Sequence, residues 1–307
     1  MSVRVDSAKE WRIGLVGYGE VGRIVAEDLR AAGVAQLAAC DVKLGTGAEG
    51  PLVAHAAAHG VRLVAAHTRL AAESDFVLSA VTASQAVAVA EACAPGLAPG
   101  TWFLDFNSAS PGAKIGAARI VDGTGARYVE GAVMTSVPPY RIRVPLLLGG
   151  PDAADLLPLL FELGFVPTLG PPRLGVASAT KMCRSVMIKG LEAMVIESFT
   201  SARAWGVEDA VVASLAETFP GIDWERQATY FFQRVVQHGR RRAEEMREVA
   251  VTVAEAGLEP WSARGTAERQ AAMADLADAG AFGERGTLAA DWRFYADAIL
   301  ATRRRGS

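Results

Sequence analysis

Between an apolar run ending at Val16 and an amphipathic stretch that starts near Val21 lies Gly17-Tyr18-Gly19-Glu20-Val21-Gly22, a G-x-G-x-x-G spacing. The first glycine allows a tight turn, the second lets backbone approach a pyrophosphate, and the third lets helix and strand pack closely. The helix N-terminus then adds partial positive charge. Such a run alone can be a structural turn. Asp41 narrows the reading, because it ends the next apolar run 19 positions after Gly22, where a carboxylate accepts ribose hydroxyls. Gly17 to Gly22 with Asp41 therefore point to a dinucleotide, NAD or NADP. Asp41 favours NAD, since it repels a 2′-phosphate, whereas Lys43 can pair with that phosphate or remain a solvated loop lysine.

Val81 and Thr82 lie where the apolar run Phe76–Val81 ends, and Asn107 and Ser108 sit in Asp105-Phe106-Asn107-Ser108-Ala109-Ser110-Pro111 after another. Doubly wound sheets bind ligands beyond the carboxyl ends of their strands, so these four residues are expected at the cofactor. Ser110-Pro111 also reads as an ordinary helix N-cap followed by proline. Further on, Gly175-Val-Ala-Ser-Ala-Thr-Lys181-Met-Cys-Arg184-Ser185 opens a long helical stretch. At helical spacing Lys181, Ser185 and Glu192 share one face, and Lys189 lies about 80° round from Lys181. Such charges on an apolar helix are costly to bury unless they serve a ligand; otherwise they snorkel to solvent. Arg240, Arg241 and Arg242, next to a Gly239 that interrupts the helical pattern, cover most of a helical circumference. One or two of them can face an anion, and Glu244, Glu245 and Glu248 offer local ion-pair partners.

The elements that must position these residues alternate strand and helix up to Gly170-Pro-Pro-Arg-Leu-Gly175, with strands expected at Val34–Val42, Val61–Ala65, Phe76–Val81, Trp102–Phe106, Tyr128–Val133 and Pro145–Leu148. Beyond that break the pattern is helical throughout. The expected fold is α/β: an N-terminal Rossmann-type doubly wound sheet over residues 1–172, then an all-α domain over residues 173–307. A chain of 307 residues exceeds what one core usually fills, which also argues for two domains. With 31 basic and 34 acidic residues there is no global field to bind nucleic acid or an anionic membrane. Cys40, Cys93 and Cys183 form no CxxC pair, so neither a disulfide framework nor a metal site is expected, and His55, His59 and His67 read as surface residues. The first ten residues lack the apolar core of a secretion signal, and no window is apolar enough to span a bilayer, so the cytoplasm is the expected compartment.

In order and spacing, Gly17–Gly22, Asp105–Pro111 and the Gly175…Lys181…Ser185 helix start resemble the β-hydroxyacid dehydrogenase superfamily, which includes 6-phosphogluconate and 3-hydroxyisobutyrate dehydrogenases. The resemblance covers nearly the whole chain. Lys-Met-Cys-Arg-Ser at 181–185 and the stretch His238–Met246 are most similar to a phosphogluconate-dehydrogenase-like branch with a divergent helical domain. The resemblance implies that Lys181 is the general acid/base and that Ser185 replaces a substrate-binding asparagine. It also implies that Met134, Thr135 and Ser136 stand where the family has a serine and two glycines. Substrate contacts are expected from Met134, Thr135, Ser136, Arg184, Ser185, Lys189 and Arg241, and a homodimer is implied. The implied reaction is NAD(P)-dependent hydride transfer on a small, anionic β-hydroxy acid or related alcohol. Two rival readings are an imine reductase, whose relatives usually lack the lysine, and a non-catalytic dinucleotide-binding regulator, which needs neither lysine nor arginines.

Overall fold

The computed structural model describes residues 7–283 and 288–304; most of the N-terminal segment read above for a secretion signal, residues 1–6, lies outside them. The first half alternates as expected. In chain order it runs β1 (Arg12–Val16), α1 (Glu20–Ala31), β2 (Gln36–Cys40), α2 (Gly50–Ala58), β3 (Arg62–Leu63), α3 (His67–Ala72), β4 (Phe76–Ser79), α4 (Ala86–Cys93), β5 (Trp102–Asp105) and α5 (Pro111–Asp122). Then come β6 (Arg127–Val133), the single turn α6 (Val137–Tyr140), β7 (Leu146–Gly149), α7 (Ala153–Glu162) and β8 (Pro167–Leu169). Among the described residues the strands form one sheet in the order β3-β2-β1-β4-β5-β6-β7-β8. Strands β1 to β6 are parallel, β7 turns antiparallel against β6, and β8 pairs parallel with β7.

Both faces of the sheet are covered, which is why its central strands read as continuous apolar runs. Phe76, Leu78 and Leu104 pack on one side with Val25 and Leu29 of α1, while Val77 and Phe103 pack on the other with Val89 of α4 and Val121 of α5. The α1 residues Gly22, Val25, Ala26 and Leu29 recur at helical spacing, and the chain leaves α1 through Gly33 at φ 96°.

Past the Gly170–Gly175 break the elements among the described residues are all helices: α8 (Val176–Trp205), α9 (Glu208–Thr218), α10 (Trp224–Glu255), α11 (Trp261–Asp278) and α12 (Trp292–Arg304). Two compact units divide within α8, the first ending at Met182 and the second beginning at Cys183. An aromatic core of Phe199, Trp224, Phe231, Phe232, Trp292 and Tyr295 holds the second unit together. The glycine read as an interruption is not one. Helix α10 runs straight through Gly239, where a Cβ would stand 2.7 Å from the Gln270 carbonyl oxygen, so glycine serves the close approach of α10 and α11.

Beside that crossing, Arg242 of α10 pairs with Glu192 of α8, and Gln270 Nε2 donates to the same carboxylate at 3.3 Å. All three are buried. Burial pushes the Glu192 carboxyl up, and the Arg242 guanidinium opposes that shift. Removing one partner strands the other charge in the core, so Arg242→Met should cost about 3–5 kcal/mol in urea unfolding. Arg240→Ala, on a surface pair with Asp275 and Asp278, should leave the midpoint unchanged. Equal midpoints for the wild type and Arg242→Met would show that the pair carries no such weight.

Candidate active site

The parallel direction of β1, β2, β4, β5 and β6 puts their carboxyl ends on one edge of the sheet, and the expected cofactor residues lie there. Gly17 leaves β1 at φ 87°, donates its N–H to the Cys40 carbonyl at 2.9 Å, and has no room for a Cβ, which would fall 2.4 Å from the Ala80 oxygen. A Cβ on Gly22 would fall 2.1 Å from the Gly17 oxygen. Gly19 differs. It caps α1 with no side-chain hydrogen bond, and among the described residues nothing lies within 4 Å of a Cβ built on it. The loop therefore presents the first N–H groups of α1, with Glu20 and Val21 in its first turn, to open space, as a pyrophosphate requires.

Asp41 follows β2 and braces this loop. One carboxylate oxygen accepts the Tyr18 N–H at 2.8 Å and the other accepts the Lys43 N–H at 2.9 Å. The Tyr18 side chain turns inward, where burial pushes its phenol up to about 12. Its hydroxyl lies 2.8 Å from His55 Nδ1, and His55 Nε2 lies 2.9 Å from Glu27 Oε1. His55 is thus no plain surface residue. The signal available in the sequence was the spacing of His55 and His59, four positions apart, visible only once residues 50–58 are recognised as a helix.

At the ends of β4 and β5 the residues lock one another. Asn107 Oδ1 accepts the Val81 N–H at 2.7 Å, and Asn107 Nδ2 donates to Ser79 Oγ at 2.9 Å. Thr82 follows directly and leads into a turn of 3-10 helix. Beneath them Asp105 accepts from Lys114 Nζ at 2.9 Å, from the Tyr128 hydroxyl at 2.8 Å and from the Asn107 N–H at 2.9 Å. Burial, with Asp105 adding to it, pushes the Tyr128 phenol well up. Asp105 belongs to the Asp105–Pro111 segment singled out above, but Lys114 and Tyr128 carry no motif, and only the fold brings them onto its carboxylate.

The start of α8 is fixed on the same unit. Glu130 of β6 is fully buried, and its two oxygens accept the N–H groups of Gly175 at 2.8 Å and of Ser178 at 2.5 Å. A Cβ on Gly149 would reach 2.9 Å from Glu130 Oε2, so that glycine keeps the carboxylate's place clear. From this anchored turn Lys181 reaches back across the strand ends, and its Nζ donates to Ser108 Oγ at 2.5 Å. Met134, Thr135 and Ser136 leave the end of β6, with the Met134 N–H on the Pro145 carbonyl at 2.9 Å.

The remaining expected residues belong to the second unit. Lys189 is buried and pairs with Glu245 at 2.6 Å, and Arg241 pairs with the same carboxylate at 2.8 Å. Burial lowers the Lys189 ammonium's affinity for its proton, Glu245 opposes this, and Arg242 and Arg241 add to the lowering. Ser185 is buried and Arg184 exposed. Of the three consecutive arginines, Arg240 goes to surface acids, Arg241 to Glu245 and Arg242 into the core.

Two family models match the chain. Residues 12–107 fit "NADP oxidoreductase coenzyme F420-dependent", and residues 202–273 fit a domain of unknown function, DUF1932. A conserved hypothetical protein from Sinorhizobium meliloti 1021, of known structure, is 37% identical over 94% of this chain and 95% of its own, with a TM-score of 0.73. A conserved protein of unknown function, itself structurally similar to 3-hydroxyacid dehydrogenases, is 27% identical over 87% of this chain and 98% of its own, with a TM-score of 0.67. The mitochondrial 3-hydroxyisobutyrate dehydrogenase of Drosophila melanogaster is 26% identical over 216 residues, which span 69% of this chain and 64% of that protein. The chain belongs to the β-hydroxyacid dehydrogenase superfamily and is 3-hydroxyisobutyrate dehydrogenase-like, with a DUF1932 segment in its helical half.

The loop geometry makes a direct prediction. Gly22→Ala puts a methyl group against the Gly17 carbonyl, so quenching of tryptophan fluorescence by NADH or NADPH should lose at least about tenfold in affinity (1.4 kcal/mol). Gly33→Ala, which strains the far end of α1 but leaves the loop alone, should bind like wild type.

Proposed function

We propose that the chain is an NAD(P)-dependent oxidoreductase that interconverts a CH–OH group and a carbonyl on a small, anionic β-hydroxy acid or related alcohol, with Lys181 as proton relay. The contact of Lys181 Nζ with Ser108 Oγ at 2.5 Å carries this reading, because it puts an amine at the strand ends that also bear the glycine loop. Its family membership supports it, as does the activity named for the Drosophila relative. Residues 1–172 then form the dinucleotide domain and residues 173–307 the helical one.

The backbone of Gly17 to Gly22 suits a pyrophosphate, and Asp41 retains lone pairs for ribose hydroxyls beyond those given to Tyr18 and Lys43. Asp41 favours NAD, while the NADP of the matching family model speaks for the phosphorylated form. A nicotinamide dinucleotide held by the Gly17 to Gly22 backbone and Asp41 would supply the hydride acceptor or donor for the carbinol carbon. Lys181 acts as neutral amine to accept the hydroxyl proton in oxidation, and as ammonium to give it back in reduction. Ser108 fixes where the amine points, and Met134, Thr135 and Ser136, at the neighbouring strand end, are assigned to the substrate. Association of two copies is part of the same reading, supported by Met187, Met194 and Trp205, which are exposed along one face of α8. Among the described residues no helix is long and apolar enough to cross a membrane.

The test is a turnover screen of β-hydroxy acids, ketones and imines with NADH and NADPH, repeated with Lys181→Met. The variant should lose about 10²–10⁴ in turnover and keep its nucleotide affinity. Undiminished turnover in Lys181→Met would remove the lysine from the mechanism. Turnover of imines alone would make the protein an imine reductase, and nucleotide binding with no turnover would make it a regulator.

A further inference from the structure

Next to the glycine loop, and joined to it through the Tyr18 hydroxyl, Glu27 of α1 meets His55 of α2 and His59 at the end of the same helix. One nitrogen or oxygen atom from each lies within 4.8 Å of the other two. We propose that Glu27, His55 and His59 form a binding site for a divalent transition metal of the zinc class.

The residue types and spacing are those such an ion takes. Two histidines four positions apart, one on α2 and one at its C-cap, joined by a carboxylate from α1, supply two imidazoles and one carboxylate and leave a fourth position for water. The distances need little adjustment. Ligand atoms held about 2.0–2.1 Å from a tetrahedral zinc are about 3.3 Å apart. His55 Nε2 and Glu27 Oε1 already stand at 2.9 Å and need only open slightly. The His59 ring is stacked on His55 with centroids 4.3 Å apart, and it is partly exposed, so it can turn inward without disturbing the core.

The outer groups are also in place. Metal-ligating histidines pass their second ring nitrogen to a hydrogen-bond partner, and ligating carboxylates are themselves hydrogen-bonded. Here His55 Nδ1 lies 2.8 Å from the buried Tyr18 hydroxyl, and Glu27's other oxygen accepts from Arg141 at 2.6 Å. Arg141 is fixed in turn by Asp28 at 2.8 Å. With the ion bound, His55 Nδ1–H donates to Tyr18 and the Nε2 lone pair faces the metal. Glu27, His55 and His59 all keep part of their surface open to solvent, so the ion has a way in. The bound ion would join α1 to α2 and, through Tyr18, stiffen the glycine loop.

The experiment is titration of the tag-free full chain with Zn²⁺ by calorimetry, with Co²⁺ absorption reporting ligand geometry. A Cys183→Ala background removes the exposed thiol as a rival ligand. One ion per chain should bind with a dissociation constant on the order of micromolar. His59→Ala, at the C-cap of α2 and outside the apolar core, should fold normally and weaken binding at least about tenfold. Glu27→Gln should weaken it too and abolish the tetrahedral Co²⁺ bands. Binding weaker than about 1 mM, or equal binding by wild type and His59→Ala, would overturn the proposal. Because the readout is metal binding, the outcome is independent of whether Lys181 moves a proton.

Discussion

A single buried carboxylate, Glu130, sets where the helical half of this chain begins. It stands on β6 and takes the N–H groups of Gly175 and Ser178, the two donors that a helix start most needs to satisfy. In most helices a side chain at the cap or in the first turn does this locally. Here the acceptor comes from the sheet, so the cap also docks the helix. Gly149 clears space for the carboxylate, and Gly175, at φ 86°, turns the chain into it against Pro111 and Ile115 of α5. About one and a half turns further on, Lys181 is set at the height of Ser108.

The same device recurs at the strand ends. Asp105 is buried and unites Lys114, Tyr128 and Asn107, and Asn107 in turn ties Val81 and Ser79. Each buried charge is satisfied from several directions, which is the condition under which such groups fix geometry rather than weaken a core. The strand ends are thus defined by interior polar residues, while the turn from Gly17 to Gly22 offers outward chiefly glycine and backbone N–H groups. That division fits a site whose ligand brings its own negative charge.

Much of this was legible in the sequence, for a physical reason. Parallel strands covered on both faces read as apolar runs, and the glycines at 17, 19 and 22 have local jobs that their spacing reveals. The ion pair from Arg241 to Glu245, one helical turn away, could also be anticipated. What escaped depends on long-range pairing. Glu130 lies 45 residues from one of the groups it caps and 48 from the other, and Lys189 lies 56 from Glu245. Nothing near Lys189 in sequence distinguishes a ligand-facing lysine from one paired in the core. Gly239 misled because a helix break and a close helix crossing both call for glycine. The weight of His55 and His59 is illegible because their helix is short and alanine-rich and the Glu27 that meets His55 lies 28 residues away.

Glu130 holds the first turn of the helix that carries Lys181. Amide hydrogen exchange at Ser178 to Lys181, compared between the wild type and Glu130→Gln, tests it most directly. The amide turns one acceptor into a donor facing an N–H, so a buried hydrogen bond worth about 1–3 kcal/mol is lost and exchange in that turn should speed at least about tenfold. Unchanged exchange there would contradict the account, since Lys181 would then owe its position to something else.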